Sequence, residues 1–275
     1  MTAGSQTAAA MPARSAGLGG LLLAEWTKIR SVRSTLWSLI LLVVLTIGLT
    51  AAFVGITVAS WSQVRGEGRA QILAEPAGTI LGSGIQLSQL TICVLGVMVI
   101  ASEYSTGVIR ASLLAVPRRI PMLAAKGIVF AAIVFVLGEV VAFPSFLIGA
   151  AILHSKVAVS IGDPSVARAV FGMGLYLTVL GLFAMAIGAL VRHTAGAITG
   201  VLAFVILLEP LAQLIPGSWG AHIYAYLPTV AGRMIMRATQ HPDDLLSAWQ
   251  GFGVFCLWTA ALLAAASYFL VRRDA

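Results

Sequence analysis

Glu103 and Arg110 stand seven residues apart in ASEYSTGVIRASLLAVPRRIPMLAAK, residues 101–126, a stretch of mixed charge between two long apolar runs. Two helical turns separate them, so a helix here puts both on one face, and Pro117 ends it. Arg118, Arg119 and Lys126 surround the return into the next apolar run. A helical, charged connection of this kind suits docking on a soluble protein through ion pairs and passing on a push from it. The plainer alternative is an ordinary basic loop on the cytoplasmic face.

Glu139 is the only ionisable residue near the middle of an apolar run. It lies about 18 Å along a helix axis from Lys126, where a charge in lipid costs roughly 2.5–3.5 kcal/mol. No Lys or Arg sits at a comparable depth. The carboxyl is therefore expected to be protonated or hydrogen-bonded inside a bundle, with Tyr176 or Thr178 as neighbours. Two roles stay open, a polar tie between helices and a place on a substrate or proton route. Gly82, Gln86, Gln89, Cys93 and Gly96 recur at steps of four and three residues, one small and polar stripe that must face protein or water. Close helix packing and a translocation wall both account for it, and the Gly196/Gly200 pair carries the same ambiguity.

Other chemistries lack their residues. There is no HExxH and no GxSxG, and His154, His193, His222 and His241 all fall at the ends of apolar runs or in loops. His241, Asp243 and Asp244 read as a solvated loop rather than a metal site. No metal is expected. Cys93 and Cys256 lie inside apolar runs, which implies no disulfide or zinc framework. A phosphate-binding loop needs glycines followed by Lys and a hydroxyl, and the chain contains no Gly-Lys dipeptide. It is expected to bind no cofactor of its own.

The elements that position these residues follow from composition. Of 275 residues 59% are hydrophobic and 10% charged, and the mean hydropathy is +0.99. A soluble domain carries about 25% charged residues. The apolar residues cluster into runs long enough to cross roughly 30 Å of hydrocarbon. The expected fold is an all-α polytopic membrane protein with six transmembrane helices: 36–58, 80–101, 127–153, 169–191, 195–208 and 248–271. Glu209 and Pro210 are expected to stop the fifth early. Residues 209–247, with Pro210, Pro216, Pro228 and Pro242 among Trp219, Tyr224 and Tyr226, predict short interfacial or re-entrant helices. The first twenty residues lack the apolar core of a signal peptide and read as a disordered cytoplasmic tail; 21–275 read as one membrane domain.

Short loops rich in Lys and Arg stay in the cytoplasm. With both termini inside, Arg14, Lys28, Arg30, Arg33, Arg110, Arg118, Arg119, Lys126, Arg192, Arg272 and Arg273 are internal, and the remaining six of the 17 basic residues are balanced by outer acids. Topology thus explains the net charge of +7 without a nucleic-acid partner. LLLAEWTKIRSVRST, residues 21–35, predicts an N-terminal amphipathic helix on the inner membrane surface. Leu22, Trp26, Ile29 and Leu36 fall on one side, Lys28, Ser31 and Thr35 on the other. It is either a juxtamembrane anchor in contact with membrane lipid or a structured elbow that also touches a partner.

Two of these patterns resemble the permease subunits of ATP-binding-cassette type-2 (ABC-2 type) transporters, actinobacterial ones especially. One is the AEWTK sequence, Ala24 to Lys28, ahead of the first span. The other is Glu103, Tyr104, Gly107, Arg110, Pro117 and Arg118 after the second. The resemblance runs over nearly the whole chain and implies a plasma-membrane export subunit, not itself an enzyme. It implies that ATP and Mg are bound by a partner ATPase subunit, and that a second permease copy or a related permease completes the assembly. The ATPase-coupling residues would be Glu103, Tyr104, Gly107, Arg110, Pro117, Arg118 and Arg119. Glu25, Trp26, Lys28 and Arg30 would belong to the interfacial helix, and Gln86, Gln89 and Glu139 would line the pathway or tie the bundle. Readings from other classes are a proton-coupled secondary transporter using Glu139 and a non-transporting membrane scaffold or sensor.

Overall fold

In hydrocarbon no water is at hand for an open N–H or C=O, so a spanning chain must satisfy its backbone within its own helices. The computed structural model describes residues 18–31, 33–105 and 119–272, and among them every regular element is helical. The order is α1 (Leu18–Ser31), α2 (Arg33–Ala59), α3 (Glu67–Ala74), α4 (Pro76–Ser105), α5 (Arg119–Leu153), α6 (Pro164–Val191), α7 (Thr194–Gln213), α8 (Gly217–Ala225), α9 (Pro228–Arg233), a 3₁₀ turn (Met234–Met236) and α10 (Ala248–Arg272). Six of these, α2, α4, α5, α6, α7 and α10, are long and apolar enough to cross a membrane. They coincide with the six expected runs; the second to fifth are extended by a turn or more at one end or both, the first by three residues at its start, and the sixth by a single residue.

The fifth run departs most. Helix α7 continues through Glu209 and Pro210 to Gln213. Pro210 removes one hydrogen bond, and Arg233 neutralises the Glu209 carboxylate, so neither residue ends the helix. The expected tail also ends earlier, because Leu18 to Gly20 already belong to α1; residues 1–17 lie outside the described part.

Helix α6 is the centre of the bundle. In its apolar window 61% of residues are buried, against 22% in α2, α7 and α10, which turn side chains such as Val44, Ile206 and Leu257 outward. Small residues let α4 and α5 approach it. A Cβ on Gly96 of α4 would lie 2.5 Å from the Gly181 carbonyl oxygen, and one on Gly138 of α5 would lie 2.7 Å from the Gly174 Cα. Helix α2 joins α4 through a buried contact of 2.9 Å between the Thr46 and Ser88 hydroxyls.

Caps set the ends of α6. Pro164 takes its first turn and the Asp163 carboxylate accepts from the Ser165 N–H at 2.8 Å. Arg192 closes it in the left-handed conformation at φ 58°, where a side chain strains the backbone. Its guanidinium donates to the Phe269 carbonyl at 3.1 Å and stacks on the Tyr104 ring. His193 then caps α7, its Nδ1 accepting from the Gly196 N–H at 3.1 Å. Two residues therefore turn the chain from α6 to α7.

The segment after α7 forms the expected short helices, and part of it is buried within the bundle. Trp219 of α8 is 80% exposed, whereas Thr229 to Gly232 of α9 and Met234 to Met236 are buried against α6 and α10.

Candidate functional site

The end of the bundle richest in Lys and Arg is held by a chain of charges. Lys126, in the second turn of α5, is 1% exposed, and its ammonium lies 2.6 Å from Glu25 Oε2 and 2.8 Å from Glu103 Oε1. Lys28 also pairs with Glu103. Glu25 and Lys28 stand three residues apart on α1 and so share a face. Two acids and two bases close on one another and hold α1 against the ends of α4 and α5. These ion pairs seat α1 on the bundle itself.

This arrangement changes the expected role of Glu103. The sequence places it beside Arg110 on an outward docking face; the structure buries it, 4% exposed, in the last turns of α4 with both of its partners inside the chain. Its carboxylate is met by Lys28 of α1 and Lys126 of α5. Tyr104 packs on Arg192. Gly107, Arg110, Pro117 and Arg118 lie outside the described residues. Arg119 opens α5 and Arg30 belongs to α1. On α1, Leu21, Leu22 and Glu25 are partly buried, while Trp26 is 48% exposed.

Sequence reasoning placed Lys126 only among basic residues flanking a span. The missed signal is its position seven residues inside the helix that Arg119 opens, where an apolar flank demands a counter-ion.

Glu139 points into the seam between α5 and α6. A Cβ on Gly174 would lie 2.2 Å from its Oε1, and both carboxyl oxygens are buried with no hydrogen-bond partner among the described residues. Neither expected neighbour reaches it. The Tyr176 hydroxyl donates to Gln89 Oε1 at 3.0 Å, and Thr178 returns its hydrogen bond to the Gly174 carbonyl of its own helix at 2.7 Å. Helical periodicity put all three residues at one depth; the rotation of α6 decided which of them meet.

The stripe on α4 divides in two. Gln89, Cys93 and Gly96 are buried against α6, so packing explains that half. Gly82 and Gln86 are open, and they line a cavity of about 340 Å³ at the end of the bundle opposite the charged junction. Gln89 joins the halves, its Nε2 donating to Gln86 Oε1 at 2.6 Å. Gly196 and Gly200 are exposed; among the described residues a Cβ on Gly200 would meet nothing within 4 Å, and one on Gly196 would meet only His193 and, at 3.7 Å, Val191 at the end of α6.

The other walls of the cavity come from α7, α8 and α9. Arg233 pairs with Glu209, whose Oε1 also accepts from the Tyr224 hydroxyl at 3.2 Å. Burial and the neighbouring Glu209 carboxylate hold the Tyr224 phenol above its ordinary pKa. Glu75 accepts from the N–H groups of Ala238 at 2.7 Å, Thr239 at 2.6 Å and Gly78 at 3.2 Å. Arg168 of α6 donates to the carbonyls of Ile235 at 3.1 Å and Arg237 at 2.8 Å. A carboxylate on its amides and a guanidinium on its carbonyls thus grip the segment that follows α9. Asp244 is taken by Arg237 and by the His241 N–H, each at 2.8 Å. Among the described residues no three His, Cys, Asp or Glu converge as a metal site would require.

Glu75→Ala should leave the Ala238 and Thr239 amides without acceptors, at about 1–3 kcal/mol. Hydrogen exchange of those two amides is then expected to speed at least tenfold while the amides of α6 keep their protection. Unchanged exchange at 238 and 239 would show that the grip does not hold the segment.

The sequence matches no family model and no curated protein.

Proposed function

We propose that this chain is the membrane-spanning subunit of an ATP-driven exporter of the ABC-2 type, working with a separate ATPase. The observation that carries the reading is the charged junction of Glu25, Lys28, Glu103 and Lys126. It stands at both roots of the 106–118 connection, the end of α4 and the start of α5, and ties them to the N-terminal helix. A push on that connection is then delivered to two spans that flank the central α6, instead of being lost in a loose loop. Docking falls to Arg110, Arg118 and their neighbours, while Glu103 and Lys126 make the base rigid. The likeness of residues 24–28 and 103–118 to that family adds to the reading.

In this mechanism ATP hydrolysis belongs to the partner, and the chain's own residues transmit motion and shape the pathway. Arg110→Glu is expected to cut copurification of the ATPase by tenfold or more while membrane insertion stays normal. Vesicles holding both subunits should show ATP-dependent flux that the variant lacks. Full copurification and flux with the variant would remove the coupling role of this connection.

The partnerless carboxyl of Glu139 favours a second reading, transport driven by protons. The same vesicles separate the two: flux under a proton gradient, without ATP or ATPase, belongs to the second alone.

A further inference from the structure

The cavity opposite the charged junction has a lopsided hydrogen-bonding inventory. Its acidic groups are already engaged inside the chain: Glu75 accepts from three backbone N–H groups, and Glu209 accepts from Arg233 and Tyr224. Its basic groups are paired too, but they keep unused donors. A guanidinium carries five N–H donors. Arg233 uses Nη2 on Glu209 and Arg237 uses Nη1 on Asp244, and among the described residues neither has a second partner. The Gln86 amide accepts from Gln89 through its oxygen, which leaves its NH₂ group to donate elsewhere. Unused donors of Arg233, Arg237 and Gln86 therefore remain on walls that enclose about 340 Å³. Arg233 is rooted in a buried turn of α9, and its side chain is 25% exposed; that of Arg237, at the rim, is 45% exposed.

We propose that this cavity binds a small oxyanion-bearing molecule, a carboxylate or a phosphate, between the Arg233 and Arg237 guanidinium groups with the Gln86 amide beneath it. The planar guanidinium fork matches two oxygens of either group, and its weak hydration favours this contact in a half-enclosed site. Glu209 and Asp244 hold the two forks in place. The volume lies at the small end of ligand pockets, which suits a ligand of few heavy atoms rather than a large apolar one. The segment from α9 to Arg237, the cap of the 3₁₀ turn, carries both arginines, so an anion bridging them also braces that segment against α4. The inference is independent of the exporter reading, since binding is measured on the isolated chain.

The test uses the purified full chain in lipid nanodiscs, titrated with succinate, with inorganic phosphate and with methylammonium at one fixed ionic strength. Thermal unfolding and calorimetry are the readouts. Saturable stabilisation by succinate or phosphate, and none by methylammonium, is expected; the tighter of the two anions tells carboxylate from phosphate. Arg237→Gln, at the exposed rim, should weaken binding about tenfold or more, as loss of a charged hydrogen bond requires. The double variant R233Q/E209Q removes the other fork without leaving an unpaired acid and should weaken it similarly. If that variant does not fold, Arg237→Gln decides alone. Equal response to methylammonium, no saturable response to either anion, or full affinity in R237Q would each overturn the proposal.

Discussion

Lys126→Met is expected to lower the stability of the purified protein by about 3–5 kcal/mol, the usual cost of removing one partner from a buried ion pair. The ammonium is 1% exposed and bridges carboxylates on two other helices. Its loss leaves Glu25 and Glu103 facing each other with Lys28 as the remaining cation, and the side chain of Lys28 is 43% exposed and partly screened. For a chain of this size the melting temperature should fall by roughly 6–20 °C. The combination K126M/E25Q/E103Q removes the stranded charges and is expected to recover most of that loss. A single variant that melts with the wild type would show that the junction contributes nothing to holding α1. The same variant also probes coupling, because a loosened junction should reduce ATP-driven flux even where the protein still folds.

Gly96→Leu should prevent the bundle from closing. The first carbon of the new side chain already falls 2.5 Å from the Gly181 carbonyl oxygen and 2.9 Å from the Ala184 Cβ. Both belong to the central helix, one of them to its backbone, so no rotamer change relieves the clash. Overpacking a tight core costs about 1–3 kcal/mol, and more where only backbone can move. Separating α4 from α6 also breaks the Tyr176 hydrogen bond to Gln89. The expected result is loss of a monodisperse peak in size-exclusion chromatography. Gly200→Leu is the matched control, since nothing lies within 4 Å of a Cβ there. Equal damage from both substitutions would mean that the α4/α6 seam is not the tight one.

These contrasts show where the sequence is legible. An apolar run is a local property, so the spans could be read directly, and errors gathered at ends where polar residues find partners. Glu209 is the case in point: as a letter it is a charge that ends a span, and beside Arg233 it is a neutral pair within one. The polar stripe on α4 was equally legible as a face that avoids lipid. Its division into a packed half and an open half was not, because that depends on how far α6 and α9 extend along it.

What the amino-acid sequence determined by itself is the solvent and the number of crossings. Hydropathy of about 20 consecutive residues decides between water and lipid, and no contact with another helix is needed to decide it. What only the tertiary structure decided is the pairing of the few charges: Glu103 with Lys126 and Lys28, Glu75 with the amides of 238 and 239, Glu139 with nothing among the described residues. Pairing requires two side chains from distant helices to arrive within about 3 Å. That distance is set by the rotation and close approach of whole helices, which the spacing of residues along one helix does not contain.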